Sequence, residues 1–64
     1  MEIYAEITKK MLEEINDGKK MIVPLGISLR RKEGSRACYF ECGEGNEQIL
    51  MDFLDANGLA WQEI

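Results

Sequence analysis

The residues of this chain best suited to chemistry are two cysteines, a knot of cations and a run of carboxylates. Cys38 and Cys42 form a C-x-x-x-C pair. On an extended strand that spacing separates the two Cα atoms by ~13 Å, whereas a disulfide needs less than ~7 Å, so the two are not expected to bond to each other. Zinc takes four ligands. With no histidine and only two cysteines, one copy of the chain does not complete a metal site; a dimer pooling its cysteines would be needed. The pair therefore reads as buried structural thiols. The lack of histidine also leaves general acid–base work to carboxylates or lysine, and no motif pairs two carboxylates for it. Ser28 and Ser35 have no base pattern beside them. Gly43-Glu44-Gly45-Asn46 precedes a helical pattern, but it lacks the lysine and hydroxyl residue of a phosphate loop, and Glu44 would repel phosphate. No cofactor and no enzymatic activity are expected.

The charges are more informative. Arg30, Arg31 and Lys32, with Arg36 across a turn, make a basic hairpin tip of the kind that grips nucleic-acid phosphates. Against that use, the formal net charge is −4, no aromatic residue lies among these cations, and basic turns also serve to guard strand edges. All eight Lys and Arg lie at or before Arg36, while Glu41, Glu44, Glu47, Asp52, Asp55 and Glu63 follow it without a cation among them. Singly, each of these acids is ordinary solvation. Together they forgo the small pair energies that mixed charges give a helix and leave a negative field, which attracts a basic partner and speeds association. The preferred partner-binding surface is thus Glu41, Glu44, Glu47, Asp52 and Asp55, with Tyr39 beside them. Its fitting partner is a protein with a basic nucleic-acid-binding surface.

The elements that must position these groups centre on Met21 to Cys42, which reads as a β-hairpin. Met21, Val23, Leu25, Ile27 and Leu29 alternate in its first strand, Lys32-Glu33-Gly34-Ser35 makes the turn, and Cys38, Phe40 and Cys42 share one parity of the second. Pro24 cannot donate to a ladder, so a kink or an edge position is expected there. Before the hairpin, Ile3, Ile7, Met11 and Ile15 recur every fourth residue, predicting an amphipathic helix that ends at Asn16-Asp17-Gly18. Met1, Ile3, Ala5 and Ile7 also alternate, so a first strand followed by a short helix from about Thr8 is the other reading. After the hairpin, Asn46 is an N-cap for a second helix that buries Ile49, Leu50, Phe53 and Leu54 and stops at Asn57-Gly58. Leu59 to Ile64 is a last strand, anchored in the core by Trp61. The expected fold is α+β, a two-layer αββαβ sandwich whose three-stranded antiparallel sheet has the last strand beside the first hairpin strand. The alternative is a ferredoxin-like βαββαβ. Core or rim is an open choice for Tyr39 and Met51.

Sixty-four residues make one domain, 1–64, burying only roughly 60% of the surface its unfolded chain exposes. The apolar and charged fractions, 45% and 31%, suit a folded domain. The start lacks a basic, then apolar, signal pattern, and no segment approaches the ~20 apolar residues of a membrane span, so a cytoplasmic protein that uses no membrane is expected. In size, acidic balance, α+β layout and absence of catalytic motifs, the chain resembles the small phage-encoded inhibitors of bacterial defence, including anti-CRISPR proteins, several of which imitate DNA. That resemblance implies a non-enzymatic inhibitor working in a bacterial host cell, and it carries over no functional residue. Two other readings stand beside it: a nucleic-acid-binding regulator using Arg30, Arg31, Lys32 and Arg36, and a homodimer or larger homo-oligomer serving as a structural subunit.

Overall fold

The computed structural model describes all 64 residues, Met1–Ile64. Six elements follow one another: β1 (Glu2–Glu6), α1 (Lys9–Asn16), β2 (Ile27–Arg31), β3 (Ala37–Cys42), α2 (Glu47–Ala56) and β4 (Ala60–Glu63). The strands form one sheet in the order β2-β3-β1-β4, with every neighbouring pair antiparallel. The α+β class is as expected, but the sheet has four strands rather than three. The element order is that of the βαββαβ alternative.

The additional strand is the N-terminal segment, β1. Ile3, Ala5 and Ile7 are fully buried, so the two-residue alternation of this stretch wins over its four-residue one. Ile3 faces Phe40 of β3 and Glu63 of β4, while Ala5 faces Cys38 and Trp61. As a central strand, β1 satisfies backbone groups on both of its edges. A helix over the same residues would leave β3 and β4 without a common partner. The ladder is prolonged at its end by Met1, whose carbonyl accepts the Cys42 N–H at 3.1 Å and whose amino group donates to the Cys42 carbonyl at 3.0 Å. The helix starts only after the Thr8 hydroxyl accepts the Met11 N–H at 3.1 Å, as an N-cap should.

The first hairpin strand is also shorter than its alternation predicts, beginning at Ile27 rather than Met21. Gly26 takes a φ of +88°, which a residue with a side chain rarely adopts. The Pro24 carbonyl accepts the Ile27 N–H at 3.2 Å, bending the chain just before β2. Met21 and Val23 still pack partly against the core, but Leu25 is 97% exposed, so the alternation breaks where Pro24 and Gly26 interrupt it. The turn itself forms as read, with the Ser35 N–H donating to the Lys32 carbonyl at 3.0 Å and Gly34 at φ +81°. Finally, β4 pairs with β1 and not with the first hairpin strand. Trp61 consequently lies on an edge strand, opposite buried Ala5, where it packs against the core cluster while half-buried itself.

Both helices pack against one face of the sheet. That face presents Ile3, Ala5, Ile27, Cys38, Phe40 and Cys42, and Leu50 and Leu54 of α2 are fully buried with them. Met11, Leu12 and Ile15 of α1 pack partly against the same cluster. Phe53 meets Phe40 edge-on, with ring centroids 5.8 Å apart, a favoured aromatic geometry. Ile49, expected on the buried side of the second helix, is 44% exposed. No helix is long and apolar enough to cross a membrane.

Candidate functional site

The opposite face of the sheet has no cover. Because side chains alternate along a strand, it is built from the residues between those of the core. The register places Arg30, Tyr39, Tyr4 and Gln62 in one row across the four strands. Next to it run Ser28, Glu41 and Glu2, followed by Ile64, whose N–H bonds the Glu2 carbonyl at 3.0 Å. On the other side of the tyrosine row, Ala37, Glu6 and Ala60 align. The two central strands therefore carry the aromatic rings, with carboxylates on both sides of them.

Tyr4 and Tyr39 stand with ring centroids 5.4 Å apart and planes inclined at 58°. Tyr39 is 43% exposed, which puts it on the open face rather than in the core, while Met51 on α2 is half-buried. The Arg30 guanidinium carbon sits 5.9 Å from the Tyr39 ring centroid, near the outer limit of a cation–π contact. The Tyr4 phenol is held above its ordinary pKa, first by loss of hydration and then by the neighbouring Glu6 carboxylate, with Arg36 opposing. It thus stays a neutral hydroxyl over the physiological range. A hollow of about 70 Å³ lies among Glu2, Ser28, Arg30, Tyr39, Glu41 and Ile64. A second, of about 170 Å³, lies among Tyr4, Glu6, Ala60, Trp61 and Gln62.

The chain has one ion pair, Lys19 with Glu14 at 2.7 Å, so Glu2, Glu6 and Glu41 have no cationic partner. Glu2 and Glu41 are directly opposed across the β1–β3 ladder, an arrangement that is mildly destabilising for like charges. The face can offer acceptor oxygens and π-surfaces to a cation.

The expected acidic surface is divided by this arrangement. Glu41 and Tyr39 lie on the open face, whereas Glu47, Asp52 and Asp55 lie on α2, in the layer behind the sheet, and Glu44 is exposed in the turn that leads there. The α2 acids also have local partners. Glu47 accepts the Gly45 N–H at 2.9 Å, Asp52 accepts from the Gln48 amide at 2.9 Å, and the Trp61 indole N–H reaches Asp55 at 3.5 Å. The expected basic tip is likewise dispersed. Arg31 donates to the Lys32 and Ser35 carbonyls, closing the turn, and Arg36 donates to the Ile7 carbonyl at 2.8 Å. Only Arg30, over Tyr39, and Lys32, exposed in the turn, remain available to a ligand. Cys38 and Cys42 are both free and buried, and burial raises the Cys38 thiol pKa, with Arg31 and a backbone hydrogen bond to Ile7 opposing.

Glu2, Tyr4 and Glu6 were not among the residues the sequence singled out. Their signal was the polar parity of the Met1–Ile7 alternation, which places all three on one face as soon as that stretch is read as a strand. No group of three or more His, Cys, Asp or Glu side chains is gathered to hold a metal ion. The chain matches no family model, and no curated protein and no solved structure matches it at a significant level.

Proposed function

We propose that this chain is a non-enzymatic interaction module that docks its open sheet face on the basic nucleic-acid-binding surface of another protein and blocks nucleic-acid access, as DNA-imitating phage inhibitors do. The observation that carries this reading is the uncovered face itself: Glu2, Glu6 and Glu41 without ion pairs, flanking Tyr4 and Tyr39, with Arg30 the one cation in their cross-strand rows. A basic groove that normally takes phosphates would find carboxylates there at strand spacing, and the tyrosines supply amphipathic contact area of the kind enriched at interfaces. Glu44, Glu47, Asp52 and Asp55 add to the long-range field that steers the encounter, without being the contact surface.

The test is capture of partners from bacterial lysate on the immobilised protein at low salt, with elution by duplex DNA. A nucleic-acid-binding protein released by DNA, and lost when Glu2 and Glu41 are both replaced by lysine, supports the reading. Capture that survives this double reversal overturns it. Reversal of Asp52 and Asp55 should reduce capture less, because those carboxylates act only through the field.

One observation favours a second reading. An open four-stranded sheet with aromatic residues on its two central strands is also the platform on which single-stranded RNA bases stack. Direct nucleic-acid binding would then run through Tyr4, Tyr39 and Arg30, not through the hairpin tip. The three carboxylates on that face repel phosphates, which places this reading second. A gel shift with single-stranded oligonucleotide at low salt, abolished by Tyr39→Ala, would move it to first.

A further inference from the structure

We propose that the tyrosine row is a seat for an arginine side chain of the partner, and that Arg30 occupies this seat in the free protein. The inference rests on the docking reading above and names the group that the face recognises.

Arg30 is held on the face only by the ring of Tyr39. Its guanidinium makes no hydrogen bond and no ion pair, although Glu41 lies two residues along β3 from Tyr39 and shares its face. A 5.9 Å approach to the ring is near the outer limit of a cation–π contact, so it is readily displaced. An incoming side chain is not tethered to β2. It can lie over the rings and direct its donors toward the hollow of about 70 Å³ beside Glu2, Ser28 and Glu41, about twice the ~30 Å³ share of a water molecule.

The chemistry selects guanidinium over ammonium. Guanidinium is planar, weakly hydrated and able to stack on an aromatic face while its edge donates in parallel to a carboxylate. An ammonium is a compact, strongly hydrated point charge that gives up more hydration to reach the same place. The directly opposed Glu2 and Glu41 strengthen the argument, because a cation set between them removes a repulsion that the free protein carries. Charge complementarity therefore commits the face to an arginine-bearing basic segment of a protein.

The test titrates the full chain, by calorimetry at fixed ionic strength, with two peptides of equal charge and length. One carries arginines and the other lysines. The arginine peptide should bind about tenfold more tightly. Tyr39→Leu should erase that preference, and Arg30→Gln, which removes the internal occupant, should tighten arginine-peptide binding severalfold. Circular dichroism confirms that both variants fold. Equal affinity for the two peptides, lost in both when Glu2 and Glu41 are reversed, overturns the arginine seat and leaves the docking reading standing. Arg30→Gln binding no more tightly than the parent overturns the claim that Arg30 fills the seat. If neither peptide binds and a single-stranded oligonucleotide does, the seat and the docking reading both fall.

Discussion

The two faces of the sheet are made by the same strands, one residue apart, and they treat charge in opposite ways. On the helix-covered face, Ile3, Ala5, Cys38 and Phe40 are excluded from water, and no polar side chain is buried without a hydrogen bond. On the open face, Glu2, Tyr4, Tyr39 and Glu41 occupy the alternate positions of the same two strands, with like charges opposed and no cation paired to them. A small domain that needed this face only for solubility would gain by mixing signs across it. The difference teaches that the covered face carries the stability, and that the open face forgoes some of it, a cost that the docking reading attributes to a partner.

Neighbouring residues give the sharpest contrast. Phe40 is 1% exposed and packs edge-on against Phe53, so Phe40→Ala should cost about 3–5 kcal/mol. A domain of this length has only about 3–10 kcal/mol in total, so the variant should melt far below the parent or be unfolded. Tyr39→Ala, one residue away, should cost under about 1 kcal/mol and spare the fold. Urea melts of the two variants decide the matter, and comparable losses would break the division into a stabilising and a functional face.

A second pair sets two arginines against each other. Arg36 reaches back from the start of β3 and donates to the carbonyl of buried Ile7 at 2.8 Å, while the Ile7 N–H donates to the Arg36 carbonyl at 2.9 Å. Losing that charged hydrogen bond in Arg36→Ala should cost about 1.5–3 kcal/mol. Arg30→Ala, on the open face, should stay within about 0.5 kcal/mol of the parent. The same urea experiment reads both, and an Arg30 loss as large as that of Arg36 would make Arg30 part of the framework rather than an occupant of a seat.

The covered face also predicts a pH dependence. Burial holds the Cys38 thiol above its ordinary value of 9.0. Below that value the thiol is protonated in both folded and unfolded chains, and stability does not depend on it. As pH rises past about 9, the unfolded chain releases the proton while the folded chain keeps it, so stability falls until the folded pKa is passed. Stability measured from pH 8 upward should therefore decline in the parent and decline less in Cys38→Ala, compared slope against slope. A thiol-specific reagent at pH 8 should label Cys38 only at the rate of opening. Immediate labelling would show that β3 is not covered as described.

Much of the framework was legible from sequence because its pattern was unambiguous. The turn at Gly34, the Cys38-Phe40-Cys42 parity and the second helix between Asn46 and Asn57 each follow from one local rule. The first strand was harder, because Ile3 and Ile7 fit a helical stripe through Met11 and Ile15 as well as a strand with Met1 and Ala5. What decides between them is the slot between β3 and β4, a set of pairings across 31 or more residues that no local rule contains. Misplacing that strand hides half of the candidate site, since only the strand reading sets Glu2, Tyr4 and Glu6 together on one face. The acidic run after Arg36 was visible as composition. Its division into carboxylates with local partners, such as Asp52 with Gln48, and carboxylates without an ion pair, such as Glu41, depends on which layer each occupies.

The smallest expected effect tests the comparison most directly. Glu2 and Glu41 are opposed in the β1–β3 ladder, where paired side chains have Cβ atoms about 4.5–5.5 Å apart and like charges are destabilising. Glu41→Gln keeps the shape and the β-strand environment while removing one charge, so it should stabilise the domain by a few tenths of a kcal/mol at low salt. At 1 M salt the screening length shrinks to about 3 Å, and the gain should vanish. The same substitution should weaken binding of the arginine peptide. Asp52→Asn offers the control, because the Asn side-chain oxygen can still accept from Gln48 on the same helix, so its stability should stay close to that of the parent. Stability rising while binding falls at position 41, with no comparable gain in stability at position 52, is what a face kept acidic for a partner requires. A gain at position 41 that persists in high salt would trace to packing instead, and Glu41 would then carry no argument about binding.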